Sequence, residues 1–303
     1  MEKLYNNKYI KVSKIGGGSF GAVYLVKEKN TNNLYAMKKF YLDNLGNGGA
    51  KKQYEILSKF NHENIYKVID MFISQNKNQY LITEYYQNNL QDYVTKKLPE
   101  NVIKQIIYQI ICGINYLHSL NYIHRDIKPD NILLSSDGKV ILTDFDLCRQ
   151  ESKGKNDPMT RTAVTLYYRA PEIFFGDSYY GNKIDIWSIG CVFAELVIGR
   201  PLFRAKNELG TLSNIIENIG SPTEENWPGV SQLPNYLPFS GGDFKLGKIL
   251  EEGGLSKDGV NIVTQMLMLD PKKRPSCEEL LKNEYFQKDI VTNEEIVKIM
   301  NLK

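Results

Sequence analysis

Between residues 15 and 23 the chain reads IGGGSFGAV, a G-x-G-x-x-G cluster flanked by strand-like runs. Glycines at this spacing let backbone N–H groups approach phosphate oxygens with no side chain in the way. A glycine-rich hairpin with no ligand explains the spacing equally well. A dinucleotide-binding turn wants a helix directly after the glycines, and AVYLV is strand-like instead, so the motif favours a phosphate-covering hairpin. Further polar clusters follow. Ala36-Met37-Lys38 closes a strand, and His124-Arg125-Asp126 precedes Lys128 and Asn131. Then come Asp144-Phe145-Asp146, Ala170-Pro171-Glu172, Asp185 to Gly190 and Arg274. A lysine at a strand end is, taken alone, a surface charge. Seven clusters in this order are not an accident.

Such side chains need rigid elements to hold them. The first 85 or so residues read mainly as strands: YIKVSKI, AVYLVKE, LYAMKKFYL and QYLITEY cluster β-branched and aromatic residues between glycine and asparagine turns. KKQYEILSKF, after the break from Asn44 to Gly49, has helical spacing. From Pro99 the pattern changes. Val102, Ile103, Ile106, Ile107, Ile110, Ile111, Ile114 and Leu117 form an i, i+3/i+4 stripe that predicts a core helix. NILLSS and KVILTD, joined at Asp137-Gly138, predict a hairpin. IDIWSIGCVFAELVIG is apolar nearly all round and predicts a central buried helix. Residues 220–258, rich in Gly, Pro, Ser and Asn, read mostly as loop.

Composition narrows the class. With 303 residues and a formal charge of +3, the chain has room for a substantial core and no charge excess that demands nucleic acid or membrane. Cys112, Cys148, Cys191 and Cys277 lie far apart, which predicts reduced thiols rather than a disulfide framework or zinc site. MEKLYNNKYI has no apolar run of the secretion-signal kind, and no stretch is long and apolar enough to span a bilayer. The expectation is a soluble intracellular protein of the cytoplasm, the nucleus or both.

Taken together, the ordered clusters resemble the protein-kinase signature set, over about residues 9–286. The resemblance implies an α+β, bilobal protein kinase fold: a small β-rich N-lobe with one main helix (about 1–85) and a larger, mainly helical C-lobe (about 86–290) with an insert near 220–258. Residues 291–303 would be a C-terminal tail. Phosphoryl transfer is mostly positioning and charge neutralisation. By resemblance, Lys38 would hold the α/β-phosphates of ATP, while Asn131 and Asp144 would bind Mg²⁺, with Mn²⁺ an alternative. Asp126 would accept the substrate hydroxyl's proton, aided by Lys128 and Thr165. The nucleotide pocket would draw on Ile15, Gly16, Gly18, Gly21, Val23, Ala36, Thr83, Glu84, Tyr86, Asn89 and Leu133. Glu172 would pair with Arg274, while Arg125 and Asp185 would organise the catalytic loop. HRDIKPDN is similar to the serine/threonine type.

AVTLYYRAPEIFFG, DIWSIGCVFAEL, RPLF and IGSPTEENWPGV are similar to the cyclin-dependent kinase branch of the proline-directed kinases. That likeness implies substrates with Ser/Thr-Pro sites, Val164 and Arg169 at the proline pocket, and a cell-cycle setting. It places the activating phosphosite at Thr160, with Thr162 as the alternative, and its basic receivers at Lys52, Arg125 and Arg149. Four features depart from the branch. Gln53 stands where the helix glutamate pairs with the strand lysine, and Glu55, two residues on, should face away. GNGGAKKQ replaces the cyclin-docking helix start, which leaves a cyclin-type activator open. Phe20 stands where an inhibitory tyrosine is common. Asp146 replaces the glycine after Asp144-Phe145. The expectation is a serine/threonine protein kinase, a transferase using ATP and Mg²⁺. The alternative is a pseudokinase acting as a nucleotide-binding scaffold, because of Gln53 and Asp146.

Overall fold

The structure is a computed structural model that describes residues 4–18, 21–41, 49–151, 159, 165–239 and 241–302. The chain divides into two compact units, Met1–Gln87 and Asn88–Lys303. Ser19, Phe20, Asn44 to Gly48, Thr160, Thr162 and Val164 lie outside the described residues.

Among its described residues the first unit forms a six-stranded antiparallel sheet and one helix. Its strands are β1 (Leu4–Tyr5), β2 (Tyr9–Gly18), β3 (Gly21–Glu28), β4 (Leu34–Phe40), β5 (Val68–Ile73) and β6 (Gln79–Glu84), in the order β1-β2-β3-β4-β6-β5. Alternation sorts the side chains onto two faces. Tyr24 lies opposite Met37, and Met37 opposite Ile82. These belong to an aromatic-rich core with Tyr9, Val26, Phe72 and Tyr80. Helix α1 (Gly49–Leu57) packs against β5 and β6 and buries Ala50, Gln53, Ile56 and Leu57. Its start is weak, since no acidic residue occupies the first turn. Compensation comes from β6: the Gln79 amide oxygen accepts from Ala50 N at 2.8 Å and caps one orphan donor.

The second unit is mainly helical. Short strands β7 (Asn88–Asn89), β8 (Tyr122–Ile123), β9 (Ile132–Leu134), β10 (Val140–Leu142) and β11 (Arg149–Gln150) form the sheets β10-β9-β7 and β11-β8. The helices are α2 (Glu100–Ser119), α3 (Pro171–Phe174), α4 (Lys183–Ile198), α5 (Glu208–Ile219), α6 (Leu246–Glu252), α7 (Lys257–Met266), α8 (Cys277–Lys282), α9 (Glu284–Gln287) and α10 (Asn293–Met300). The apolar stripe of α2 is buried along its length and packs against α4 and α8. α4 is buried from Ile184 to Leu196, as its all-round apolar sequence predicts. Two acids on it, Asp185 and Glu195, are therefore sealed from water and must find partners.

The hairpin expected at Asp137-Gly138 forms, with Ile132 opposite Leu142. Gly138 has φ of +81°, and a Cβ there would meet the Asn293 carbonyl of α10 at 2.3 Å. Two stretches are more ordered than their composition suggests. Residues 220–258 hold α6 and a 3-10 turn over Val230–Gln232. The stretch expected as a tail contains α10, capped by reciprocal bonds between Thr292 and Glu295. Among the described residues no helix is long and apolar enough to cross a membrane.

Candidate active site

The catalytic loop in the second unit is built around a buried carboxylate. Asp185, in the first turn of α4, accepts from His124 N and Arg125 N, each at 2.9 Å, and its Oδ2 lies 2.9 Å from His118 Nε2. Burial by itself raises the Asp185 carboxyl. The bond and charge of His118, the nearby His124 and the Arg125 N–H outweigh burial and hold its pKa below the ordinary aspartate value. These bonds fix a strained turn, for Arg125 has φ of +70°. A non-glycine residue in that region costs of order 1–3 kcal/mol and persists only where its surroundings over-determine it. His124 then points inward. Asp126 N donates to its Nδ1 at 3.3 Å, so Nε2 carries the proton and donates to the Thr143 carbonyl at 3.0 Å.

The next residues converge on Asp126, which is 6% exposed. Lys128 Nζ donates to its Oδ2 at 2.7 Å, and Thr165 Oγ1 donates to its Oδ1 at 2.8 Å. Lys128 also donates to Thr165 Oγ1 at 3.0 Å, closing a three-membered network. Asn131 Nδ2 donates to both the Asp126 carbonyl and Oδ2 at 2.9 Å. Both amide protons thus turn toward Asp126, and the amide oxygen faces the other way as a hard oxygen donor. The Asn131 carbonyl accepts from Thr143 N and Oγ1, which ties this loop to the start of the Asp144 turn.

Asp144 has φ of +59° and precedes a 3-10 turn over Phe145–Leu147. Phe145 is buried, its ring 4.8 Å from that of His124. Glycine at residue 146 would have its advantage in left-handed backbone. The structure gives that conformation to Asp144, while Asp146 sits in the right-handed 3-10 turn. Aspartate at 146 therefore needs no left-handed backbone here.

Beyond the loop, Glu172 and Arg274 form the expected pair, bidentate at 2.7 Å and sealed from solvent. Arg125 donates to the Tyr180 hydroxyl at 3.1 Å. Burial lowers its guanidinium pKa, Tyr180 opposes this, and the like charge of Arg149 adds to the lowering. Two of the three expected phosphate receivers thus lie near one another in this unit. Lys52 is exposed on α1 of the other unit. Arg169 pairs with Glu208 and stacks over Phe174, 5.2 Å from its ring centre. Leu133 pairs with Asn89 across β9 and β7. Asn89 Oδ1 also accepts from Asp92 N at 3.1 Å, a capping role.

In the first unit, strand register gathers the residues expected at the nucleotide. Val23 lies opposite Lys38, Lys38 opposite Leu81, and Ala36 opposite Thr83. Alternation puts them on one face, away from the aromatic core. Gly16 and Gly18 pair with Val23 and Gly21 at the end of the glycine hairpin, and Ile15 is 43% exposed. A Cβ on Gly21 would stand 2.2 Å from the Lys39 carbonyl, so the β3–β4 contact alone demands glycine. Tyr86 donates to the Glu84 carboxylate at 2.6 Å. Gln53 is 3% exposed, whereas Glu55 faces solvent beside Lys51. The helix therefore presents an amide inward, as the spacing argument requires.

Some supports were not readable in advance. Tyr168 donates to Glu195 at 2.7 Å, and Ser188 Oγ donates to the Tyr168 carbonyl at 2.8 Å. These bonds moor the segment after Thr165 to α4. Burial pushes the Glu195 carboxyl up to about 7, the Tyr168 bond opposing and Asp130 adding to the shift. Its other oxygen, Oε1, is buried without a partner. The one available signal was two acids inside an otherwise apolar helix.

A buried carboxylate bracing a lysine, a threonine and an asparagine, below a backbone turn pinned from α4, is an arrangement for handling phosphate. The protein kinase domain model matches residues 9–286, and the chain belongs to that family. A chain of the CAK complex from Chaetomium thermophilum, in a structure bound to ATP-gamma-S, is similar at 32% sequence identity. The match has a TM-score of 0.86 and covers 96% of this chain and 95% of that one. Within its family this chain is a cyclin-dependent-kinase-like protein kinase.

Proposed function

We propose that the protein transfers the γ-phosphoryl group of ATP to serine or threonine hydroxyls followed by proline. The observation that carries this reading is the Asp126–Lys128–Thr165 network. Both carboxyl oxygens of Asp126 are held in charge-assisted bonds, which aim the carboxylate at an incoming hydroxyl whose proton it accepts. Lys128 sits beside that carboxylate to offset the charge arriving on the phosphoryl oxygens. The similar chain's complex is described as bound to ATP-gamma-S, which supports ATP as donor.

The donor set suits Mg²⁺, which takes one or two protein oxygens and completes its shell with phosphate and water. Asn131, with both amide protons turned away, and Asp144 would hold it. When bound, the ion screens the phosphate charge. In the other unit, Lys38 would meet the α/β-phosphates, and Val23, Ala36 and Thr83 share its face. At position 53 a glutamine would offer Lys38 a neutral acceptor where a glutamate would offer a charge, at a cost of about 1–2 kcal/mol in transition-state stabilisation.

Arg169, with Val164, would favour proline after the target residue. Thr160 would be the activating phosphosite, received by Lys52, Arg125 and Arg149. The similar chain belongs to a complex, which supports a partner subunit. A pull-down against cyclin-type proteins tests whether that partner is one. Substrate class is tested by labelled ATP with matched Ser-Pro, Ser-Ala and Tyr-Pro peptides. Transfer is expected to Ser-Pro first. Equal transfer to Ser-Ala removes the proline assignment, and preference for Tyr-Pro removes the serine/threonine one.

A further inference from the structure

A polar cavity of about 420 Å³ lies within the second unit, lined by Lys183, Gln265, Lys272, Lys273, Glu279 and Asn283 among others. The lysines arrive from two places, Lys183 from the start of α4, and Lys272 and Lys273 from the 3-10 turn after α7. Lys183 is half-buried and held in place from both ends. Its Nζ donates to the Arg274 carbonyl at 2.7 Å, while Arg274 Nη1 donates to the Lys183 carbonyl at 3.1 Å. Lys273 Nζ is spent in part on the Asn226 carbonyl at 2.8 Å. Among the described residues, none of the three lysines has a carboxylate within 4.0 Å. Arg274, which also lines the cavity, has its own positive charge offset by Glu172. The rim carboxylate, Glu279, is turned to the start of α8, where it accepts from Ser276 N and Oγ at 2.7 Å.

Three lysines therefore line one polar cavity whose lining holds a single carboxylate residue. Like charges so placed repel, and the space suits a ligand larger than one phosphate. We propose that this cavity binds a small multiply phosphorylated anion, with Lys183, Lys272 and Lys273 as its phosphoryl ligands and Gln265 and Asn283 as hydrogen-bonding neighbours. Burial lowers the Lys183 pKa, partly offset by Glu279, and an anion there restores the ordinary value. A small polyanion fits better than a phosphorylated protein segment, because among the described residues only Pro275 and Leu280 give the cavity an apolar lining. A peptide would want apolar footholds beside its phosphate. The site abuts the Lys183–Arg274 clamp, so occupancy would also stabilise the Glu172 anchor.

The test is calorimetric titration of the whole protein with inorganic tripolyphosphate, with a non-hydrolysable ATP analogue saturating the nucleotide site. One binding event is expected, with a thermal midpoint that rises with ligand concentration. Lys272→Gln should weaken it several-fold, and Lys183→Gln with Lys272→Gln by about tenfold or more, as fits loss of two charged contacts. Lys272 is exposed and outside the clamp, so its variant keeps the fold if the double variant does not. Loss of binding once the nucleotide site is filled overturns the proposal. So does binding that Lys272→Gln leaves unchanged. A phosphoserine peptide that binds more tightly than tripolyphosphate, with the same lysine dependence, overturns the small-anion assignment.

Discussion

The two halves of the catalytic apparatus are built to different tolerances. In the second unit, the catalytic loop is locked by buried charge. Asp185 receives three hydrogen bonds, Asp126 receives bonds from three side chains, and Glu172 is clasped by Arg274. In the first unit, the helix expected to support Lys38 is nine residues long, begins at a glycine with φ of +54°, and turns a neutral amide inward at Gln53. The N–H of Ala50, its second residue, is capped by Gln79 on a neighbouring strand rather than by its own sequence. The part proposed to move the proton is held by buried charge, and the part proposed to place the phosphate presents a neutral amide. The difference predicts a kinase whose rate is limited at the small unit.

The contrast can be broken first at its strongest point. Glu172→Ala leaves Arg274 buried and uncompensated, so unfolding free energy should fall by about 3–5 kcal/mol in denaturant titration. A loss under 1 kcal/mol would mean the pair is not anchoring that segment. Next is Glu195. Its folded pKa of about 7 lies above the ordinary glutamate value of 4.5, so the folded protein keeps a proton that the unfolded chain releases. Stability from this group is fully present below about pH 4.5 and is lost as pH rises through 7, on the order of 3 kcal/mol in all. Glu195→Gln should flatten that decline when thermal midpoints are compared from pH 5 to 8. Parallel curves for the two proteins would remove Glu195 as the cause.

A smaller effect lies on the other side of the comparison. Gln53→Glu should raise kcat/KM roughly tenfold, the worth of one restored ion pair. An unchanged value would show that the missing charge does not limit turnover. The smallest effect is at Asp146. Because this residue sits in right-handed backbone, Asp146→Gly should change metal affinity little in a Mg²⁺ or Mn²⁺ titration. A large fall would make Asp146 a ligand.

What could be read in the sequence was local. The α2 stripe, the apolar α4 and the Asp137-Gly138 turn each carry their reason within a few residues. The motif clusters marked Asp126, Lys128, Asn131 and Asp144 by their spacing and family resemblance, and Glu172 with Arg274 followed from the same resemblance. The supports were illegible because they join distant residues. Gln79 caps α1 across 29 positions, and Asn293 presses on Gly138 from the far end of the chain. Tyr168 meets Glu195 only once α4 is packed. The left-handed backbone at Asp144 rather than at residue 146 has the same origin: the turn's conformation depends on how Phe145 is buried beside His124.

The central claim is that the locked loop performs phosphoryl transfer despite the neutral Gln53. Single-turnover transfer from labelled ATP to a Ser-Pro peptide, in wild type and in Asp126→Asn with matched thermal midpoints, tests it most directly. Wild type should transfer, and Asp126→Asn should be slower by about 10²–10⁴-fold, the contribution of a positioned proton acceptor. Wild-type transfer no greater than that of Asp126→Asn, with Mg²⁺ or Mn²⁺ and after phosphorylation at Thr160, would contradict the account and leave a nucleotide-binding scaffold.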